Sequence, residues 1–125
     1  MTRENPLEQK KQQEFVDITF NPDETQQRFV EFEDVDGNHY VYSCTTAEAN
    51  HHKLMFDNIV KKLKLDGKIT KRLGGFLEKD GNKIYIMGRS TALGRFNKEK
   101  VLKSLKEHFK NMEVIYQEIK NENLV

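Results

Sequence analysis

The sequence contains one cysteine, Cys44, and no apolar run near the ~20 residues that cross a bilayer. A single thiol excludes an internal disulfide framework, and a reducing, cytoplasmic setting is expected. The first residues run into Glu and Gln rather than an apolar stretch, so no secretory leader is expected. Common cofactor and nucleophile signatures are missing too. Gly88 and Gly94 enclose five residues and precede Arg95, where a Walker loop needs four and then Lys with Ser or Thr. Gly-x-Gly-x-x-Gly, Cys-x-x-Cys and Gly-x-Ser-x-Gly do not occur. His51 and His52 are adjacent and point about 100° apart on a helix, so they do not face one metal. Neither a metal nor a cofactor is expected.

What is present is a chain of 125 residues, 36% hydrophobic and 33% charged, long enough for one domain with its own core. Its net charge of +1 hides an uneven distribution. Residues 1–60 carry five Lys and Arg against twelve Asp and Glu, whereas residues 61–110 carry fifteen against five. The basic middle suits an anionic partner, or it consists of solvated helix faces. Its lysines at 61, 62, 64, 68 and 71 and Arg72 are not interleaved with aromatics. No nucleic-acid motif accompanies them, so neither a nucleic acid nor a membrane is expected as partner.

Read along the chain, residues 1–14 and 120–125 are polar and aperiodic, and tails are expected on either side of a domain at 15–119. Residues 15–20 alternate as a strand, and Asn21-Pro22-Asp23-Glu24 is turn chemistry. Residues 28–33 and 39–44 form strands around the hairpin signal Asp36-Gly37, with Phe29 off the register of Val30 and Phe32. Thr46 can cap a helix over 47–65, on which His52, Phe56, Ile59, Val60 and Leu63 share one face; Gly67 ends it. Residues 69–77 and 83–87 are further strands around the Asp80-Gly81-Asn82 turn, and the pair Gly74-Gly75 reads as a bulge or turn. After a loop at 88–96, Asn97 caps a second helix with the stripe Val101, Leu102, Leu105 and Phe109; residues 114–116 are a last strand. The order β-β-β-α-β-β-α-β predicts a single α+β domain. Its sheet should be mixed and largely antiparallel, with two helices packed on it.

Two features can carry chemistry. His52 shares a face with Phe56 and Ile59, which turns it inward near the helix start. An imidazole there can act as general base or nucleophile, or serve as a buried structural histidine. The segment Gly88-Arg89-Ser90-Thr91-Ala92-Leu93-Gly94 follows a strand. Its glycines and successive amides can form a concave nest for an oxyanion, with Arg89 adding charge, or simply connect strand to helix.

The order of these pieces resembles the protein histidine phosphatase, or Janus/Ocnus, family. The likeness rests on Arg72-Leu73-Gly74-Gly75, the strand Lys83-Ile84-Tyr85-Ile86-Met87 and the loop at 88–94, and it extends from about Phe15 to Tyr116. The family's Leu-Gly-Gly-Gly and Gly-Tyr-Ser-x-x-Tyr-Gly align with these residues. Its Tyr-His-Ala-Asp-Ile-Tyr-Asp aligns with His51-His52-Lys53-Leu54-Met55-Phe56-Asp57. The resemblance implies metal-independent removal of phosphate from phosphohistidine in a protein substrate; a monomer is expected, or else a subunit of a larger assembly. It places catalysis on His52 and phosphate binding on Ser90, Thr91 and Ala92, with Arg28 as the basic residue of an early strand. The chain departs from the pattern at Lys53-Leu54, Arg89 and Leu93, and Cys44 stands where the family has a basic residue. These departures support a rival expectation, a non-catalytic member that binds phosphate or serves in an assembly.

Overall fold

The hydrophobic patterning resolves into the expected element order. A computed structural model describes residues 12–118. The elements are β1 (Glu14–Ile18), β2 (Gln27–Asp34), β3 (His39–Ser43), α1 (His52–Lys62), β4 (Ile69–Asp80), β5 (Lys83–Met87), α2 (Lys98–His108) and β6 (Glu113–Tyr116). The two expected tails lie outside the described residues except for 12–14 and, of these, Glu14 opens β1.

The strands form one mixed sheet in the order β1-β3-β2-β4-β5-β6. The inner pairs β2–β3, β2–β4 and β4–β5 are antiparallel, and the outer pairs β1–β3 and β5–β6 are parallel. This is the α+β class expected from the sequence. Each helix covers one face. Met55, Phe56, Ile59 and Val60 of α1 pack on Val30, Phe32 and Tyr40. Val101 and Leu105 of α2 pack on Phe29, Leu77, Ile84 and Ile86. Double coverage explains why Phe29 falls off the register of Val30 and Phe32. A central strand roofed on both sides has no solvent-facing side, so apolar residues stand on both faces and the simple alternation disappears. Among the described residues, no helix is long and apolar enough to cross a membrane.

Three local expectations need correction. The first helix begins at His52 rather than after Thr46. The Thr45 carbonyl closes one turn with the N–H groups of Glu48 and Ala49, and His51 then adopts an extended conformation. The ring Nδ1 of His51 accepts the Leu54 N–H at 3.2 Å and so caps the helix. The helix also ends before Gly67, at Lys62. Lys64 takes φ 59°, and the Lys64 and Leu65 N–H groups return to the Lys61 and Val60 carbonyls. That pairing is a Schellman ending with lysine where glycine is usual. Finally, Gly74-Gly75 is neither bulge nor turn. Both glycines lie mid-strand in β4, opposite Val30 and Phe29, and β4 continues to Asp80.

On the α2 side a buried polar network ties four elements together. His39 Nδ1 lies 2.6 Å from Glu14 Oε1, and Nε2 lies 2.6 Å from Glu31 Oε2. The Ser104 hydroxyl donates to Glu14, and the Asn97 N–H donates to Glu31 Oε1 at 2.7 Å. Both ring nitrogens of His39 face a carboxylate, so the protonated ring satisfies both acceptors.

Candidate functional site

The site begins with what Gly74 leaves empty. A Cβ there would lie 2.8 Å from His52 Cδ2 and 2.8 Å from Ser90 Cβ. The absent side chain lets helix α1 and the loop after β5 meet over the middle of β4. Gly75 performs the same service on the opposite face, where a Cβ would come within 2.5 Å of the Phe96 ring.

His52 is the first residue of α1 and is 6% exposed. Its Nε2 lies 2.8 Å from the Gly75 carbonyl oxygen. A carbonyl can only accept, so Nε2 carries the proton. Nδ1, with no hydrogen-bond partner among the described residues, is left with a lone pair when the ring is neutral. Burial pulls the His52 pKa down; the Gly75 carbonyl opposes this, and the charges of Arg28 and His51 add to it, leaving the net shift downward. The neutral, basic form is therefore favoured near neutral pH.

Arg28 reaches the same face from β2, directly opposite Phe76 of β4. Its guanidinium carbon lies 5.6 Å from the centre of the Phe76 ring. The His52 ring stands 5.1 Å from that ring at 88°.

The loop after β5 is held by its own backbone. Ser90 and Gly94 exchange both N–H···O bonds, and Ser90 Oγ accepts the Leu93 N–H at 3.0 Å. The Gly94 carbonyl also accepts the Gly74 N–H, and the Gly74 carbonyl accepts the Phe96 N–H, which fastens the loop to β4. Ser90 is buried at 1% exposure, whereas Thr91 and Ala92 are exposed at the tip. The Ser90 N–H is thus engaged, while those of Thr91 and Ala92 have no hydrogen-bond partner among the described residues.

The structure brings together His52, Arg28 and Ser90, with the Thr91 and Ala92 amides on the turn that Ser90 anchors. Arg89 is exposed and has no ion-pair or ring partner among the described residues. Cys44 is buried on the α1 side, where burial pushes its thiol pKa up, so it supplies no charge. Phe76 escaped the sequence reading, because a lone aromatic in a strand carries no signal of what it touches. Gly74 did leave a signal, a glycine pair inside an otherwise regular strand, which can mark close approach as well as a bend.

In comparison with known proteins, residues 23–113 match the Janus/Ocnus family. No curated protein matches the chain.

Proposed function

The chain belongs to the Janus/Ocnus family, and from that premise we propose that it is a metal-independent phosphohistidine phosphatase acting on a phosphorylated protein. The observation that carries this reading is the meeting of His52 and the Ser90 turn over Gly74, with Arg28 alongside. Cleaving a phosphoramidate requires little covalent help once the leaving imidazole is protonated, so positioning and charge stabilisation dominate. The Thr91 and Ala92 amides and the Arg28 guanidinium supply donors for the phosphoryl oxygens. Water attacks phosphorus, and the P–N electron pair leaves with the protonated substrate ring as neutral imidazole. His52 Nδ1 takes the proton from water, or itself accepts the phosphoryl group and passes it to water.

The test is phosphate release from a phosphohistidine peptide in the presence of a chelator, beside a His52→Ala variant. Loss of the base should slow turnover by about 10²–10⁴-fold, and equal release from both proteins would overturn the role of His52. A phosphate-binding or assembly subunit is the second reading. It is favoured by the engaged Ser90 N–H and by uncharged Cys44. Phosphate binding without any turnover by folded wild-type protein would select it.

A further inference from the structure

Arg28 is half-buried, yet its guanidinium has no carboxylate or hydrogen-bond partner among the described residues. A planar cation of this kind has five N–H donors and a long flexible stem, and something must hold it in one direction if it is to serve an anion. The ring of Phe76 is the group that does so. Arg28 and Phe76 are direct cross-strand neighbours in the central β2–β4 pair, and the guanidinium lies over the ring at 5.6 Å. The same ring stands at right angles to His52 at 5.1 Å.

We propose that Phe76 is a positioning residue whose ring fixes the Arg28 guanidinium relative to the His52 imidazole, so that both address one phosphoryl group. The proposal rests on the phosphatase reading and assigns that site its orienting aromatic. A cation over an aromatic face is held without consuming its N–H donors, because the attraction comes from the ring quadrupole. A carboxylate in the same place would orient Arg28 equally well, but it would occupy the donors and repel the substrate's phosphate. The aromatic solution keeps Arg28 directed and its hydrogen-bonding capacity free. Residue 76 is half-buried rather than sealed in the core, so leucine can replace its volume without replacing its quadrupole.

The experiment measures inorganic phosphate affinity by calorimetry, and phosphoramidate turnover, for Phe76→Leu and Phe76→Tyr in wild-type and Arg28→Ala backgrounds. Phe76→Leu should weaken phosphate binding about fivefold, the factor that corresponds to one lost cation–π contact. It should raise KM more than it lowers kcat. Phe76→Tyr, which keeps the aromatic face, should stay within about twofold of wild type. In the Arg28→Ala background, Phe76→Leu should have no further effect, because the group it positions is gone. An equal penalty in both backgrounds, or a Tyr variant as weak as Leu, overturns the proposal. Should wild type bind phosphate with this coupling yet release none from phosphohistidine, the positioning role stands and the phosphatase reading falls. Should wild type turn over normally and Phe76→Leu change nothing, the phosphatase reading stands and the positioning role falls.

Discussion

Replacing Gly74 by alanine puts one methyl group where two functional side chains meet. That methyl would lie 2.8 Å from His52 Cδ2, 2.8 Å from Ser90 Cβ and 3.2 Å from the Phe29 carbonyl oxygen. Carbon pairs settle at about 3.5–4.0 Å, so relief requires movement of about 1 Å. The Phe29 carbonyl belongs to the central strand and cannot yield, so His52 and Ser90 must. A 1 Å displacement carries the 2.8 Å His52–Gly75 bond beyond hydrogen-bonding range. Overpacking of this kind costs about 1–3 kcal/mol. Misplacing a reacting group by a similar distance costs about 10²-fold in rate. Thermal unfolding, phosphate release and the ¹⁵N signals of the His52 ring measure the three consequences separately. Gly75→Ala is the matched control, since its methyl meets Phe96 on the α2 face. It should destabilise the fold while His52 keeps its Nε2–H tautomer. A Gly74→Ala protein with wild-type stability, tautomer and turnover would refute the account of the site.

Two histidines should give stability opposite pH slopes. Burial pulls the His39 pKa down, but the bonds and charges of Glu31 and Glu14 outweigh it, and the net shift is upward. His39 therefore contributes stability that is complete below about pH 6.5 and is lost as pH rises through its raised folded value. His52, depressed chiefly by burial, contributes stability present above about pH 6.5 and lost as pH falls through its folded value. Denaturant titrations from about pH 5 to 9 should show both slopes, with His39→Gln removing the alkaline loss and His52→Gln the acid loss. Lys64 occupies a left-handed position at φ 59°, so Lys64→Gly should stabilise the protein by about 0.5–1 kcal/mol, read as a higher melting temperature. The Asn97 side chain accepts the Lys100 N–H at 3.0 Å, and Asn97→Ala should cost about 1 kcal/mol in the same measurement.

Much of the fold was legible because its punctuation is local. Asp36-Gly37, Asn97 and the alternation at 83–87 each reveal an element without reference to the rest of the chain. The ends of the first helix are hidden for local reasons as well. His51 caps it although histidine is not a usual capping residue, and Lys64 ends it where glycine is the usual signal. Non-local features stayed hidden. The partners of His39 lie 25, 8 and 65 residues away, at Glu14, Glu31 and Ser104. No periodicity links such positions. In the site, the inward face of His52 and the glycine-flanked Ser90 loop were readable. The contact of Arg28 with Phe76 depends on the register of β2 against β4, which single-strand patterning does not specify.

The central placement of β2 and β4 has a kinetic consequence. Edge strands such as β1 and β6 can open at small free-energy cost, while elements in the middle of a sheet exchange their amide protons only when the whole domain unfolds. Arg28, Gly74, Gly75 and Phe76 all sit on that middle pair, and Gly75 holds His52 in turn. The residues of the site on this pair therefore have no private route to disorder, and they stay in place for as long as the domain is folded.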